Sequence, residues 1–486
     1  MKSLDQLNYH HTYADLGSSL SSRVDPTPLH APYLIHTNHR LATKLGIDIK
    51  SADNEVLTQL LSGQGILDSW SPIAMKYTGH QFGQYNPDLG DGRGLLLTEF
   101  VDDTGNKWDL HLKGSGQTPY SRGADGRAVI RSSVREYLVS AAMDGLGIPT
   151  TQALALSGAK TPVQRENIES AATLLRVAPS HVRFGHFEYL FYSGQHTEIQ
   201  ALADYIIHWH MPELEDLNDK YAAFFQQVTK STATMIAHWQ VYGFCHGVMN
   251  TDNMSILGLT FDYGPFAFLD TYLSKHICNH SDYSGRYAFH QQPGIGQWNL
   301  SALGYALSSL IDSKQIEASL QAYSSHIQAE YRRLMRARFG FTTERENDPE
   351  LINSCLDLME KLGLDFHFTL RILSETGPNN WSDAELNNSL NKPEFTTWLR
   401  DYEKRILLDY QNDHERQKAM QGVNPKYILR THLAQETIQQ VENGQFDILD
   451  TWLAVLANPF IEHSCPSHWS LPPRSDQKGI CLSCSS

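Results

Sequence analysis

The segment HGVMNTDNMS, His246 to Ser255, decides how the rest of the chain is read. His246 and Asn253 stand at the two ends of the frame H-x-D-x-x-x-x-N, a catalytic-loop pattern in which the acid accepts a proton and the amide binds a metal ion. Val248 holds the position of the acid, and an apolar side chain accepts no proton. Either this loop does no chemistry, or another residue supplies the base.

Four further features precede or follow the loop in a fixed order. Leu89-Gly90-Asp91-Gly92-Arg93-Gly94 is a glycine-rich turn whose backbone can approach a ligand closely; alone it is a common strand connection. Lys113 ends the run Trp108–Leu112, which alternates as a half-buried strand does, and its ammonium suits phosphate. Glu136 lies in RAVIRSSVREYLVSAAMDGLG, whose Val129, Ile130, Val134, Leu138 and Ala141 recur at helical spacing. At the edge of that stripe it can hold Lys113; otherwise it is a surface carboxylate. Either Gly145 or Gly147 can stop the helix. Asp262-Tyr263-Gly264 follows the loop, and Asn253 with Asp262 is a pair of hard oxygen ligands of the kind that Mg²⁺ or Mn²⁺ takes beside phosphate.

Glycine loop, strand lysine, helix glutamate, H-x₆-N and D-[FY]-G is the sequential order of the protein-kinase signature set. The predicted fold is therefore α+β: a protein-kinase-like, two-lobed fold with a sheet-rich N-lobe, a helical C-lobe and additional C-terminal helices. The runs GLLLTEFV, WDLHLKGS, TTQALALS and TLLRVA read as strands, and the chain turns mainly helical after about residue 195. The expected divisions are an N-terminal extension over 1–85, the N-lobe over 86–195, the C-lobe over 196–330, and a helical extension with a cysteine-containing tail over 331–486.

Composition narrows the partners. A net charge of −15 argues against a nucleic-acid binder, whose footprint is basic. No apolar run reaches the roughly 18 residues that span a bilayer, and the first residues show no targeting pattern. Cys245, Cys278 and Cys355 are too scattered for a disulfide scaffold, which points to a reducing cytoplasm. Arg176 and Arg183, with Arg122 and Arg127 around Gly123-Ala124-Asp125-Gly126, form a surplus of cations near the expected cleft. Arginines deep in a cleft that grip the terminal phosphates of a nucleotide leave its α-phosphate open to an incoming hydroxyl, which implies nucleotidyl rather than phosphoryl transfer.

LGDGRG, HLKGSGQTPYSRGADGRAVIRSSVREY, HGVMNTDNMSILGLTFDYGPFAFLD, VNPKYILR and the tail CLSCSS together closely resemble the selenoprotein O family of kinase-like protein adenylyltransferases, over nearly the whole chain. The resemblance implies ATP bound in a flipped orientation and AMP moved to Ser, Thr or Tyr hydroxyls of proteins. It implies that Gly90, Gly92, Arg93, Asp125 and Gly126 line the nucleotide and that Lys113, oriented by Glu136, holds phosphate. Arg176 and Arg183 would grip the terminal phosphates, and Asn253 and Asp262 the metal. Asp252 would be the proton acceptor; support of the metal is its other reading. UMP transfer, protein kinase activity and a non-catalytic ATP-binding scaffold remain alternatives. At the tail, Cys481-x-x-Cys484 suits disulfide exchange, zinc binding with Cys465 and His468, or no chemistry. The resemblance implies a redox disulfide between Cys278 and Cys484.

Overall fold

The runs read as strands lie in one nine-stranded sheet. A computed structural model describes residues 1–377 and 392–480. In chain order the sheet takes β1 (Asn8–His10), β2 (Ser21–Arg23), β3 (Pro32–Thr37) and β4 (Ile73–Met75). A separate hairpin follows, β5 (Gly79–Gln81) and β6 (Gln84–Asn86). The sheet resumes with β7 (Gly94–Val101), β8 (Lys107–Lys113), β9 (Ala128–Val129), β10 (Gln152–Gln164) and β11 (Ile168–Ala178). Its order is β2-β4-β7-β8-β11-β10-β3, with β1 on β7 and β9 on β11, and its named strand pairs are antiparallel. Residues 1–85, read from sequence as an extension, thus supply four strands of this sheet.

The half-buried reading of Trp108–Leu112 is corrected by the structure: apart from Trp108, β8 is buried throughout. The cause is a second apolar cover. Leu95, Leu97, Leu110, Leu112 and Leu175 pack with Leu41, Leu57 and Leu61 from the short helices His39–Lys44 and Asn54–Ser62. The other face, with Leu96 and Leu174, packs on Val134 and Leu138 of the helix Ile130–Gly145. Strand residues alternate between faces. With Leu112 and Leu175 on the first face, Lys113 and Arg176 fall on the face that meets Glu136.

Gly147, not Gly145, ends that helix. It has φ +73°, and the next amide, Ile148 N–H, donates to the Met143 carbonyl at 2.9 Å. Gly145 has a different duty. A Cβ there would lie 1.8 Å from the Leu456 carbonyl oxygen, in the helix Ile448–Ala457. That late helix and its neighbour Thr431–Glu442 both pack on Ile130–Gly145.

The remainder is mainly helical, with Phe184–Tyr192, His196–His210, Lys220–Val241, Gln292–Ala306 and Ser313–Arg338 as its early members. Between them, β12 (Phe244–Cys245) pairs with β13 (Ala267–Phe268). This ribbon clamps both ends of the stretch containing HGVMNTDNMS and Asp262-Tyr263-Gly264. The same stretch bridges to the sheet side at Arg183–Ser255 and Thr150–Thr260. No helix among the described residues is long and apolar enough to cross a membrane.

Gly145→Ala tests the helix contact. On an exposed helix the change stabilises by up to about 1 kcal/mol. Here the expected outcome is a loss of about 1–3 kcal/mol from overpacking, measured as a lower urea midpoint with unchanged slope.

Candidate active site

A chain of buried charges runs from the sheet to the loops. Glu136 accepts from Lys113 Nζ through one oxygen and from Arg176 Nε, at 2.5 Å, through the other. Arg176 Nη2 then meets Asp262 Oδ1 at 2.9 Å. Arg183 Nη1 pairs with Asp262 Oδ2 and donates to the Asp252 carbonyl at 2.7 Å. Burial alone would raise the Glu136 carboxyl; Arg176 and Lys113 overcome it and draw it to about 2. Asp262 is likewise held far below the carboxylate range, by Arg183 and Arg176 against its burial. Burial lowers Lys113 to about 8 against the pull of Glu136, with Arg93 and Arg176 adding to the depression.

These groups line a cavity of about 560 Å³, within the range of small-molecule sites. Arg93, Lys113, Arg176 and Arg183 border it as cations, whereas Glu136 and Asp262 are the carboxylates paired with the last three. The positive surplus suits a polyphosphate.

The glycine turn is shaped as much by protein as by any ligand. Gly90 has φ +130°, and Cβ atoms at Gly90 and Gly92 would lie 2.7 Å and 2.8 Å from Tyr120. Asp91 between them turns inward, bonding His111 Nε2 at 3.0 Å and accepting from Met75 N and Tyr77 Oη. Asp125 is gripped by both terminal nitrogens of Arg165, at 2.7 and 3.0 Å. At Gly126 a Cβ would lie 2.0 Å from the Gly116 carbonyl, so only glycine closes this loop. Arg127, counted among the surplus cations, lines the cavity, and its guanidinium donates to the Thr27 and Pro28 carbonyls.

Val248 lines the cavity where the motif places an acid. Asp252 lines it too and is buried. Its Oδ2 accepts from Gln81 Nε2 at 3.2 Å, and its Oδ1 is buried with no hydrogen-bond partner among the described residues. Burial raises its carboxyl to about 7, although Arg183 pulls the other way. The loop is seated by close packing: the His80 amide donates to Thr251 Oγ1 at 2.7 Å, and a Cβ on Gly79 would meet Thr251 and Asp252 within 3.1 Å. Gln81 was not foreseen. Its only sequence signal is the string GHQFGQYN, which carries no known spacing to the loop.

Asn253 donates its amide nitrogen to the Val248 carbonyl at 3.0 Å, which leaves its oxygen as the available ligand atom. Asp262 has φ +57°, a strained value for a non-glycine residue. One amide oxygen and one ionised carboxylate fit a hard divalent cation that completes its shell with phosphate and water. No group of three or more His, Cys, Asp or Glu suited to a metal occurs among the described residues. Cys278 is buried, with its sulfur 3.3 Å from that of Cys245, and burial pushes its thiol up. Cys481 and Cys484 lie outside the described residues, and so does the pairing expected between Cys278 and Cys484.

The family model described as protein adenylyltransferase SelO matches residues 3–456. The chain belongs to this SelO family. SelO-family relatives named protein nucleotidyltransferase YdiU include those of Vibrio cholerae, 50% identical over 98% of both chains, and Photobacterium profundum, 48% identical over all of both. A third, from Pseudomonas aeruginosa, is 44% identical over the full length of both chains. The match agrees with the SelO resemblance carried by the segments LGDGRG, HLKGSGQTPYSRGADGRAVIRSSVREY and HGVMNTDNMSILGLTFDYGPFAFLD.

Glu136→Gln isolates the charge hub. Removing the shared carboxylate from two buried cations should cost about 3–5 kcal/mol at neutral pH, read by urea unfolding. The folded carboxyl, at about 2, lies below its unfolded value of 4.5. Its contribution is therefore complete above that value and lost as pH falls toward 2. The stability gap between parent and variant should shrink across this window.

Proposed function

We propose that the protein transfers AMP from ATP to Ser, Thr or Tyr hydroxyls of protein acceptors and releases pyrophosphate. The observation that carries this reading is the separation of two chemistries within one cavity: surplus cations at Lys113, Arg93, Arg176 and Arg183, and a buried carboxyl at Asp252, raised to about 7 and so able to exchange a proton near neutral pH, beside the apolar Val248. The cations hold the β- and γ-phosphates. Asp252 takes the proton of the acceptor hydroxyl as its oxygen bonds to the α-phosphorus. The bond from the α-phosphorus to the bridging oxygen breaks, and pyrophosphate departs with the electron pair. Gly90, Gly92, Asp125 and Gly126 shape the nucleotide side of the cavity, and Glu136 keeps Lys113 and Arg176 in place. Asn253 and Asp262 would hold a divalent cation, Mg²⁺ or Mn²⁺, which supplies charge neutralisation at the phosphates when bound.

We read the architecture as kinase-like. The sheet and the helix Ile130–Gly145 form one lobe over 86–195 with its 1–85 extension, 196–330 forms the helical lobe, and 331–486 the extension and tail. The Lys113–Glu136 pair, between a sheet strand and a helix, supports this reading, as does the motif order. A cytoplasmic location is supported by the free thiols among the described residues, at Cys245, Cys278, Cys355 and Cys465.

Label transfer separates the outcomes. With ATP labelled at the α-phosphate or the γ-phosphate, a divalent metal and self-modification as readout, covalent label is expected from the α-position alone. γ-Label would establish a kinase, and neither label with ATP bound a scaffold. UTP in place of ATP tests UMP transfer. Asp252→Ala should reduce transfer at least about 100-fold while the ATP Kd stays within about twofold. Asp262→Ala should weaken metal-dependent ATP binding as well; near-normal turnover in Asp252→Ala removes it as the base.

A further inference from the structure

The hairpin β5–β6 carries two features that the handling of nucleotide does not use. At its tip Phe82 has φ +51°, in a region that costs a bulky residue of order 1–3 kcal/mol, and its side chain is 42% exposed. An exposed aromatic ring on a strained backbone contributes little to a core. The strain is held by two bonds on its amide, to Tyr287 Oη at 2.8 Å and Asn250 Oδ1 at 3.3 Å. The Phe82 ring packs against Tyr287 with centroids 5.1 Å apart. Phe82 and the preceding Gln81 line the same cavity as Asp252, and Gln81 touches the Asp252 carboxylate itself.

Beside the tip stands Arg286. Its guanidinium lies 3.2 Å from where a Cβ of Gly83 would be, and over the Trp298 ring at 4.9 Å. It has no carboxylate partner among the described residues, and its Nε is buried without a hydrogen bond. The acid nearest in sequence, Asp282, is occupied: its two oxygens accept from the backbone amides of Arg286 and Tyr287. The guanidinium is thus pinned by aromatic rings and the Tyr287 hydroxyl, without a carboxylate partner among the described residues, and one residue from the edge of the cavity.

We infer that the β5–β6 tip and Arg286 form the acceptor-recognition surface, in which Phe82 packs on the acceptor segment and Arg286 pairs with an acidic side chain next to the modified hydroxyl. This rests on the AMP-transfer reading, because the acceptor oxygen must lie against Asp252. Gln81 already borders that carboxylate, so the residues flanking the hydroxyl fall on the tip.

The test uses the full chain, ATP labelled at the α-phosphate, and two synthetic peptides that share one serine and differ only in a flanking Glu or Lys. The parent should show a KM about fivefold lower for the Glu peptide, the size of an exposed ion pair. Arg286→Glu should reverse that preference, and Arg286→Gln should abolish it. Phe82→Gly should raise the KM for both peptides about tenfold. Its unfolding temperature should not fall, since glycine accepts the positive φ without strain. The ATP Kd should hold throughout, which reports that each variant is folded. Equal KM values for the two peptides in the parent would overturn the inference. So would a preference untouched by both Arg286 variants, or a Phe82→Gly variant that loses stability and kcat at unchanged KM. Absence of α-label on both peptides and on the protein itself, with ATP still bound, would defeat the AMP-transfer reading; self-labelling with neither peptide labelled would overturn the inference alone.

Discussion

Glu136 sharing its carboxylate between Lys113 and Arg176 is the constraint on which the rest of the site depends. One oxygen fixes the end of β8 and the other the last residues of β11, so a single side chain registers two strands against the helix Ile130–Gly145. Arg176 passes the constraint on to Asp262, and Asp262 to Arg183, whose other bond holds the Asp252 backbone. A buried ion pair is weak evidence for stability, because desolvation offsets most of its attraction. Its value here is positional. With Glu136 tying the helix to two strands and Asp262 tying the sheet side to the loop, no element can shift without stranding a charge.

Strain gathers at the same place. Four non-glycine residues among those described have positive φ: Ala31, Phe82, Arg122 and Asp262. Three of them, all but Ala31, line the cavity. Backbone outliers persist where the surroundings over-determine them. At Asp262 the surroundings are two arginines, and at Phe82 they are the Tyr287 hydroxyl and the Asn250 amide oxygen. The orphaned Oδ1 of Asp252 belongs with these. It is an unfavourable local choice that the seating of the loop by His80 and Gln81 keeps in place.

The covering of the sheet explains why these charges are buried at all. Strands β7 and β8 are buried on both faces because residues 1–85 add the helices His39–Lys44 and Asn54–Ser62 to the side away from Glu136. The late helix Ile448–Ala457 closes on Gly145 from the other side. Lys113 and Arg176 therefore sit in a low-dielectric wall, where their field on a phosphate is stronger than at a solvated surface.

How much of this was legible depends on the range of each interaction. The strand runs, the helix bearing Glu136, the H-x₆-N frame with Val248 in it, and the D-Y-G triplet are local patterns, so the chain alone determined their identity and order. It also determined that the usual acid is missing from the loop, because side-chain chemistry at a fixed spacing needs no tertiary context, while leaving open whether another residue replaces it. It left open whether Gly145 or Gly147 ends the helix, since the other reason for a glycine at 145 is the close approach of Leu456, more than 300 residues away. It was silent on Gln81, which reaches Asp252 across 171 residues, and on Asp91, whose inward turn depends on His111 in another strand. Burial, pairing and the pKa shifts that follow are properties of the closed chain. Only when distant segments meet do a carboxylate beside two cations and a carboxylate beside an amide become chemically different groups.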